Sequence, residues 1–373
     1  MVVGGGVAGL SCAYHLAHAR TPVLLIERTA LAAGSSGRSA AFIETQYIEA
    51  DRVRMCVYGL QLYRELAKAF PLHFQKRGKV LLGRGDGDRA HFEASVQLQH
   101  DLGFSASTIL ESEQLVDRFP QLRIAEEEFA LYGPDDGYLD PGALCNAYAT
   151  AATEQGATIK LSTELAAITA SNDGYVVHTD REAFACTAVV IAAGAWAEQV
   201  GRHLDLNLRI SGYRRQVALL RAPTIIDSPL LVDPANPAGC LYFRDDGRGR
   251  LLAGLHTEEH NGHVADDPDR YPRTADSQFV RDVGHLATAR LRDSPPLTPI
   301  GGWAGLYPIS ADGRFLLGES RRRPGVFVCA GLAGNGIQLS AAAGAIIAQL
   351  VTTQSQTILP SLDPYAPDRF LND

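Results

Sequence analysis

The sequence predicts a mixed α/β chain, α+β overall, with a Rossmann-like domain and a second domain built on a mainly antiparallel sheet. Three observations carry this. A strand, glycine turn, helix and strand open the chain over residues 1–27. A second strand, glycine turn and helix close it over 325–351, and strand-like segments joined by polar turns lie between. Pieces of the first kind recur at the start, middle and end, so the simplest layout is a discontinuous domain over 1–75, 137–208 and 300–373. Residues 76–136 and 209–299 then form the second domain, with a site at the interface.

The opening unit begins with only three residues, Met1, Val2 and Val3, a short first strand. Gly4, Gly6 and Gly9 fit a G-x-G-x-x-G turn, with Val7 and Ala8 between them and a helical stretch over 10–19. The first glycine permits the tight turn, the second lets backbone approach a pyrophosphate, and the third lets helix pack on strand. The helix N-terminus offers free N–H groups and a positive dipole end to phosphates. The apolar strand 23–26 ends in Glu27, followed by Arg28, and a carboxylate there suits a ribose 2′-OH and disfavours a 2′-phosphate.

Three further stretches favour FAD over NAD. Ser35, Ser36, Arg38, Ser39 and Ala40, in the glycine-bounded run 34–40, follow the second strand, where small hydroxyl residues can wrap a long dinucleotide. Residues 188–194 form a buried strand that runs into Ala193, Gly194 and Trp196. Gly334, Asn335, Gly336, Ile337 and Gln338 head the last helix, whose N-terminus can stabilise the anionic charge of a reduced flavin.

Beyond these motifs, Leu60, Leu62, Tyr63 and Leu66 share a helical period over about 55–70. Residues 79–82, 213–220, 240–244 and 250–255 read as strands, with a turn at 245–249 and a surface loop over 261–275.

With 373 residues, 46% hydrophobic and 20% charged, the chain can bury a full core in two domains. A net charge of −8 without a basic block argues against nucleic acid. The one basic run, Arg321 to Arg323 before Pro324, is a solvated turn. Six scattered cysteines without metal spacing imply free thiols, a reducing compartment and no metal site. No signal-peptide pattern is visible, and the apolar stretches near 183–197 and 337–351 are interrupted or too short to span a bilayer. A cytoplasmic location is the resulting expectation.

Taken in order, these motifs resemble the D-amino-acid oxidase superfamily of FAD-dependent amine and amino-acid oxidoreductases, over essentially the whole chain. Gly137-Tyr138-Leu139-Asp140-Pro141 looks like the family's G-x-x-D-P entry to a helix, and the run 302–307 with Asp312-Gly313 looks like the segment before the final strand. The runs 37–41 and 336–342 are similar to D-arginine dehydrogenase, and 303–307 to the β subunit of sarcosine oxidase. The resemblance implies hydride loss from the carbon bearing a neutral amine to flavin N5, hydrolysis of the resulting imine, and oxygen or another acceptor for the electrons.

It also implies substrate residues. Tyr307 stands where amino-acid-oxidising members carry a carboxylate-clamping arginine, which leaves Arg215 as that partner or as an exposed strand arginine. Lys79 stands where D-arginine dehydrogenase reads a guanidinium with a glutamate, so an acidic or neutral side chain is expected. Phe42, Tyr47 and Tyr242 form either an aromatic wall suited to a methylated amine or ordinary core. Asn335 and Gln338 touch flavin or substrate, or cap the helix. No histidine or cysteine stands at the family's flavin-attachment positions, so FAD is expected to be non-covalent. Two alternatives stay open: a same-fold flavoenzyme oxidising a 2-hydroxy acid, and a flavin-binding subunit of a multi-chain complex.

Overall fold

The computed structural model describes residues 1–104, 106–222, 226–257 and 264–370. Residues 261–263 of the expected surface loop, and the last three residues of the chain, lie outside these.

The first sheet has six strands in the order Leu316–Glu319, Val326–Ala330, Val189–Ile191, Val2–Val3, Leu24–Ile26 and Thr158–Lys160. All pairs are parallel except the first. The opening strand is only two residues long but central, its neighbours pairing with both Val2 and Val3. Being buried on both faces, these strands read as unbroken apolar runs. One face carries the helices Val7–His18, Pro141–Glu154 and Gly336–Val351, with Ala50–Ala69 behind them, around Leu10, Leu60, Tyr63, Tyr148 and Ile346. The other face is covered by a three-stranded sheet, Leu165–Ser171, Gly174–Thr179 and Ala183–Cys186.

The stretch Ala333–Val351 is long and apolar enough by composition to cross a bilayer. Its residues Ile337 to Ala348 are buried against the other helices, which is the position of a core helix.

The second sheet has nine strands. Eight run in the order Val264–Ala265, Ile210–Arg221, Arg250–His256, Cys240–Asp245, Leu230–Asp233, Lys79–Arg84, Glu128–Gly133 and Thr108–Glu111. The ninth, Thr298–Ser310, lies along the whole of Ile210–Arg221. Among the described residues of this sheet, only Leu230–Asp233 and Lys79–Arg84 pair in parallel. The helix Ser277–Ala289 buries Phe279, Val280, Val283 and Ala287 on this sheet, an i, i+4, i+8 stripe.

Three expectations are corrected. The first helix starts at Val7, because Gly6 already serves as its N-cap. Val264–Ala265, expected in a loop, pairs with Gly212 and Tyr213. The boundary expected at residue 300 falls inside Thr298–Ser310, whose ladder to Ile210–Arg221 places it in the large sheet through Ser310.

Candidate cofactor and substrate site

At the opening turn Gly4 has φ +117°, and a Cβ on Gly9 would lie 2.0 Å from the Gly4 carbonyl oxygen. Glycine is therefore required at both positions by backbone alone. Glu27 reaches back under this turn. Its Oε2 accepts from Gly5 N at 2.8 Å and its Oε1 from Thr29 N at 2.9 Å, so the carboxylate is fixed at the strand end. Ser36 Oγ accepts from Val7 N at 3.0 Å, and Gly6 supplies no side-chain cap to the other first-turn donors.

A cavity of about 320 Å³ runs from this turn to the head of the last helix. It is lined by Gly4, Gly6, Val7, Ala8, Glu27, Arg28, Ser35, Ser36, Arg38, Ser39 and Ala40. Ala193, Gly194, Trp196, Gly334, Gly336 and Ile337 line it as well. Gly9, Asn335 and Gln338 do not. Gly9 sits behind the turn, as its helix-packing part demands. Asn335 offers the helix no side-chain cap. Gln338 is buried, accepting from Glu44 N at 3.1 Å and donating to the Tyr47 hydroxyl at 2.5 Å.

The 34–40 run is pinned from two sides. Arg38 donates to the carbonyls of Ala33 and Gly34, the latter at 2.7 Å, and its own carbonyl accepts from Trp303 Nε1 at 2.8 Å. Ser35 Oγ donates to the Leu306 carbonyl. Sequence reasoning missed other lining residues, among them Thr163, Val200, His203 and Arg273, because nothing local marks them and only the tertiary fold brings them to the cleft.

At the far end the cavity meets the large sheet at Arg215, Tyr242 and Tyr307. Tyr242 meets Phe42 edge-on at 5.6 Å and His256 at 5.3 Å between ring centroids, and His256 meets Tyr307 at 5.9 Å. The guanidinium of Arg215 stands 5.5 Å from the Tyr307 ring centroid. Arg214, one residue along the strand, turns the other way to Asp276, Pro272 and Thr274. Burial, with Arg215 adding to it, pushes His256 down to about 4, so its imidazole is neutral at pH 7. Its Nε2 is buried without a hydrogen-bond partner among the described residues. The sequence reading passed over His256, which stands at the end of a strand without a motif.

Lys79 is not where the resemblance implied. It is 4% exposed, lies off the cavity lining, and its ammonium is paired with Glu44. Tyr47 also lies off the lining and donates to Glu44 Oε1. Burial would raise the Glu44 carboxyl, but Lys79, Tyr47 and Gln338 hold it below its ordinary value. Asp136, within the field of both, is pushed up to about 8, by burial first and Glu44 second, against the pull of Lys79. Among the described residues no cluster suits a metal ion.

The cavity fits FAD on the chain's own features. Two helix heads without N-cap side-chain bonds face one cleft, glycines leave room for backbone contact, and the fixed Glu27 carboxylate stands on the lining at the strand end.

The comparisons agree with this geometry. The chain is 28% identical over 359 residues to glycine oxidase of Geobacillus kaustophilus, covering 94% of this chain and 92% of the relative. It is 25% identical to 4-methylaminobutanoate oxidase (formaldehyde-forming) of Paenarthrobacter nicotinovorans, spanning 99% of this chain and 45% of that one. Among solved structures, glycine oxidase from Geobacillus kaustophilus superposes with a TM-score of 0.84 at 25% identity, covering 99% of this chain and 97% of that one. L-proline dehydrogenase from P. horikoshii shares the fold with a TM-score of 0.89 at 24% identity, covering 100% and 97%. The model of the FAD dependent oxidoreductase family, DAO, matches residues 1–350, and the chain belongs to that family.

Proposed function

We propose that this FAD-dependent oxidoreductase oxidises the C–N bond of an amino acid or secondary amine and releases an imine that water hydrolyses. The observation that carries the reading is the end of the cofactor cavity, which Arg215, Tyr242 and Tyr307 line, with Phe42 and His256 off the lining and packed edge-on against these tyrosines. Similarity to glycine oxidase and to 4-methylaminobutanoate oxidase supports the same substrate class.

Bound FAD supplies the acceptor for the hydride that leaves the substrate carbon. Gly4, Gly6 and Val7 would hold the pyrophosphate, Glu27 the ribose, and the head of Gly336–Val351 the pyrimidine edge. Arg215 pairs the substrate carboxylate and so fixes which carbon faces the cofactor. The aromatic rings exclude water and keep the amine in a low-dielectric space that favours its neutral form. Neutral His256, packed edge-on against Tyr242 and Tyr307, holds these two rings in place behind the cavity. The missing clamp at Tyr307 is compensated by Arg215 on the strand directly paired with it, where Arg215 faces Gly305 and Tyr213 faces Tyr307.

Anaerobic mixing of the yellow holoenzyme with D- and L-amino acids, N-methylglycine and other secondary amines tests this. Bleaching of the flavin absorbance by one of these classes is the expected result. Bleaching by 2-hydroxy acids with none from amines would move the reaction to a C–O bond.

A further inference from the structure

Once FAD fills the glycine-lined part of the first cavity, its far end at Arg215, Tyr242 and Tyr307 has to be reached from another side. A second cavity, of about 760 Å³, shares Arg215 with the first. Its inner walls come from the face of the large sheet that the helix Ser277–Ala289 covers, through Arg214, Gln216, Leu255 and Phe279. Strand pairing explains why a space opens here. Ile210–Arg221 pairs with Arg250–His256 over Ala218 to Arg221, and with Val264–Ala265 at Gly212 and Tyr213. Arg214, Arg215 and Gln216 fall between these two ladders, and Leu255 and Val264 line the cavity from the neighbouring strands. Among the described residues, the large sheet is thus parted at the residue common to both cavities.

The two adjacent arginines differ in what they do there. Arg214 is fixed as wall: its Nη1 and Nη2 donate to the Asp276 carboxylate, both at 3.1 Å, and its Nε to the Pro272 carbonyl at 3.0 Å. Gln216 closes the same knot by donating to Asp276 Oδ2 at 3.0 Å. Arg215, half-buried, turns to the flavin side beside Tyr307. At the solvent end Val264 is 44% exposed, and Asp266, Asp267 and Arg270 put both signs of charge on the rim. A zwitterion suits such a rim, and exposed charges hold it too weakly to trap it.

We infer that the second cavity is the entrance by which a small zwitterionic amine carboxylate reaches the flavin, and that Arg215 receives its carboxylate where the sheet parts. The inference rests on the amine-oxidation reading for the identity of the ligand, while the route itself concerns access alone. Narrowing an entrance slows arrival and departure by the same factor and leaves equilibrium affinity untouched.

The test narrows the entrance in the holoenzyme. Val264→Cys is labelled after folding with N-phenylmaleimide, with parent protein treated alike as control for the chain's own cysteines, and Ala265→Trp is the second variant. Stopped-flow flavin absorbance follows propionate binding, which needs no turnover, and anaerobic bleaching by N-methylglycine. Both narrowed forms are expected to slow propionate association and dissociation alike, by roughly tenfold or more, with its Kd unchanged. The second-order rate of bleaching should fall by the same factor, while the rate at saturating amine stays that of the parent. Unchanged association rates in both forms, or a changed Kd at unchanged rates, overturn the inference. A parent flavin that does not respond to propionate would also overturn it, by removing Arg215 as the receiving group. Absence of bleaching by any amine, with propionate kinetics as expected, would count against the amine-oxidation reading alone.

Discussion

Asp136 shows how one buried carboxyl couples pH to stability in this protein. Its value is raised from 3.8 to about 8, chiefly by burial. The native state then binds a proton that the unfolded chain has released, so stability falls as pH rises from about 4 to about 8, by roughly 1.4 kcal/mol per pH unit at most. Asp136→Asn removes that titration. Its melting temperature relative to the parent should climb across this window and level off above it, measured by calorimetry at pH 5, 7 and 9; a constant difference would show that Asp136 is ionised throughout. At the substrate end, Arg215→Met is expected to raise KM for amino acids by roughly 10–100-fold, with a small change for an amine lacking a carboxylate. Equal losses for both ligands would rule out the carboxylate role. The residue types in this chamber were legible in part. Tyr242 and Arg215 lie on recognisable strands, whereas His256 and Glu44 carry no local signal, and the charge expected at Lys79 was cancelled by a neighbour 35 residues earlier in the chain.

At the level of elements, the two glycine turns work because helices approach strands closely. A methyl group at Gly9 would meet the Gly4 carbonyl oxygen at 2.0 Å, and neither atom belongs to a flexible side chain. Gly9→Ala should cost about 1–3 kcal/mol of stability and weaken FAD binding, read by thermal melting and by fluorescence on adding FAD to the apoprotein. Unchanged melting and affinity would mean that the helix can shift without penalty. The same closeness made these elements readable, because only glycine satisfies such contacts and the spacing survives in the sequence. The short strand Val2–Val3 was readable for another reason: its apolar residues are flanked by the turn that follows. By contrast, the three-stranded sheet covering the other face went unread, its alternation weakened by exposed positions such as Ala166, Thr169 and Ala183.

Across the whole molecule, the two sheets are joined over the cofactor cleft by a contact distant in sequence. Asp269 accepts from Trp196 Nε1 at 3.0 Å and pairs with Arg28, whose guanidinium stands 4.5 Å from the Trp196 ring centroid. Trp196 and Arg28 both line the cavity. Asp269→Ala should speed FAD release on the order of fivefold, because a partly exposed ion pair contributes about 1 kcal/mol. Stopped-flow fluorescence of released flavin measures it, and an unchanged rate would remove Asp269 from cofactor retention. Two buried histidines set the acid limit. His15 is lowered to about 3 and His256 to about 4, mainly by burial, while the unfolded chain protonates near 6.5. The histidine contribution to stability is therefore complete above that value and is lost as pH drops toward 4, by roughly 1.4 kcal/mol per pH unit for each histidine, opposite in sign to that of Asp136. Replacing either by Gln should lower the slope of stability against pH between 6.5 and 4.5 by roughly 1.4 kcal/mol per pH unit, and a slope unaffected by both changes would contradict the assignment.

The sequence by itself determined the Rossmann-like core, the FAD site at the opening turn and the family resemblance. Those features rest on contacts within a few residues, where backbone geometry restricts what side chains can stand at each position. Only the tertiary structure decided where the large sheet ends, which rings close the far end of the cavity and which nearby charges are paired. Those outcomes depend on strands far apart in the chain, whose packing sets burial and hence the ionisation of Glu44, Asp136 and His256.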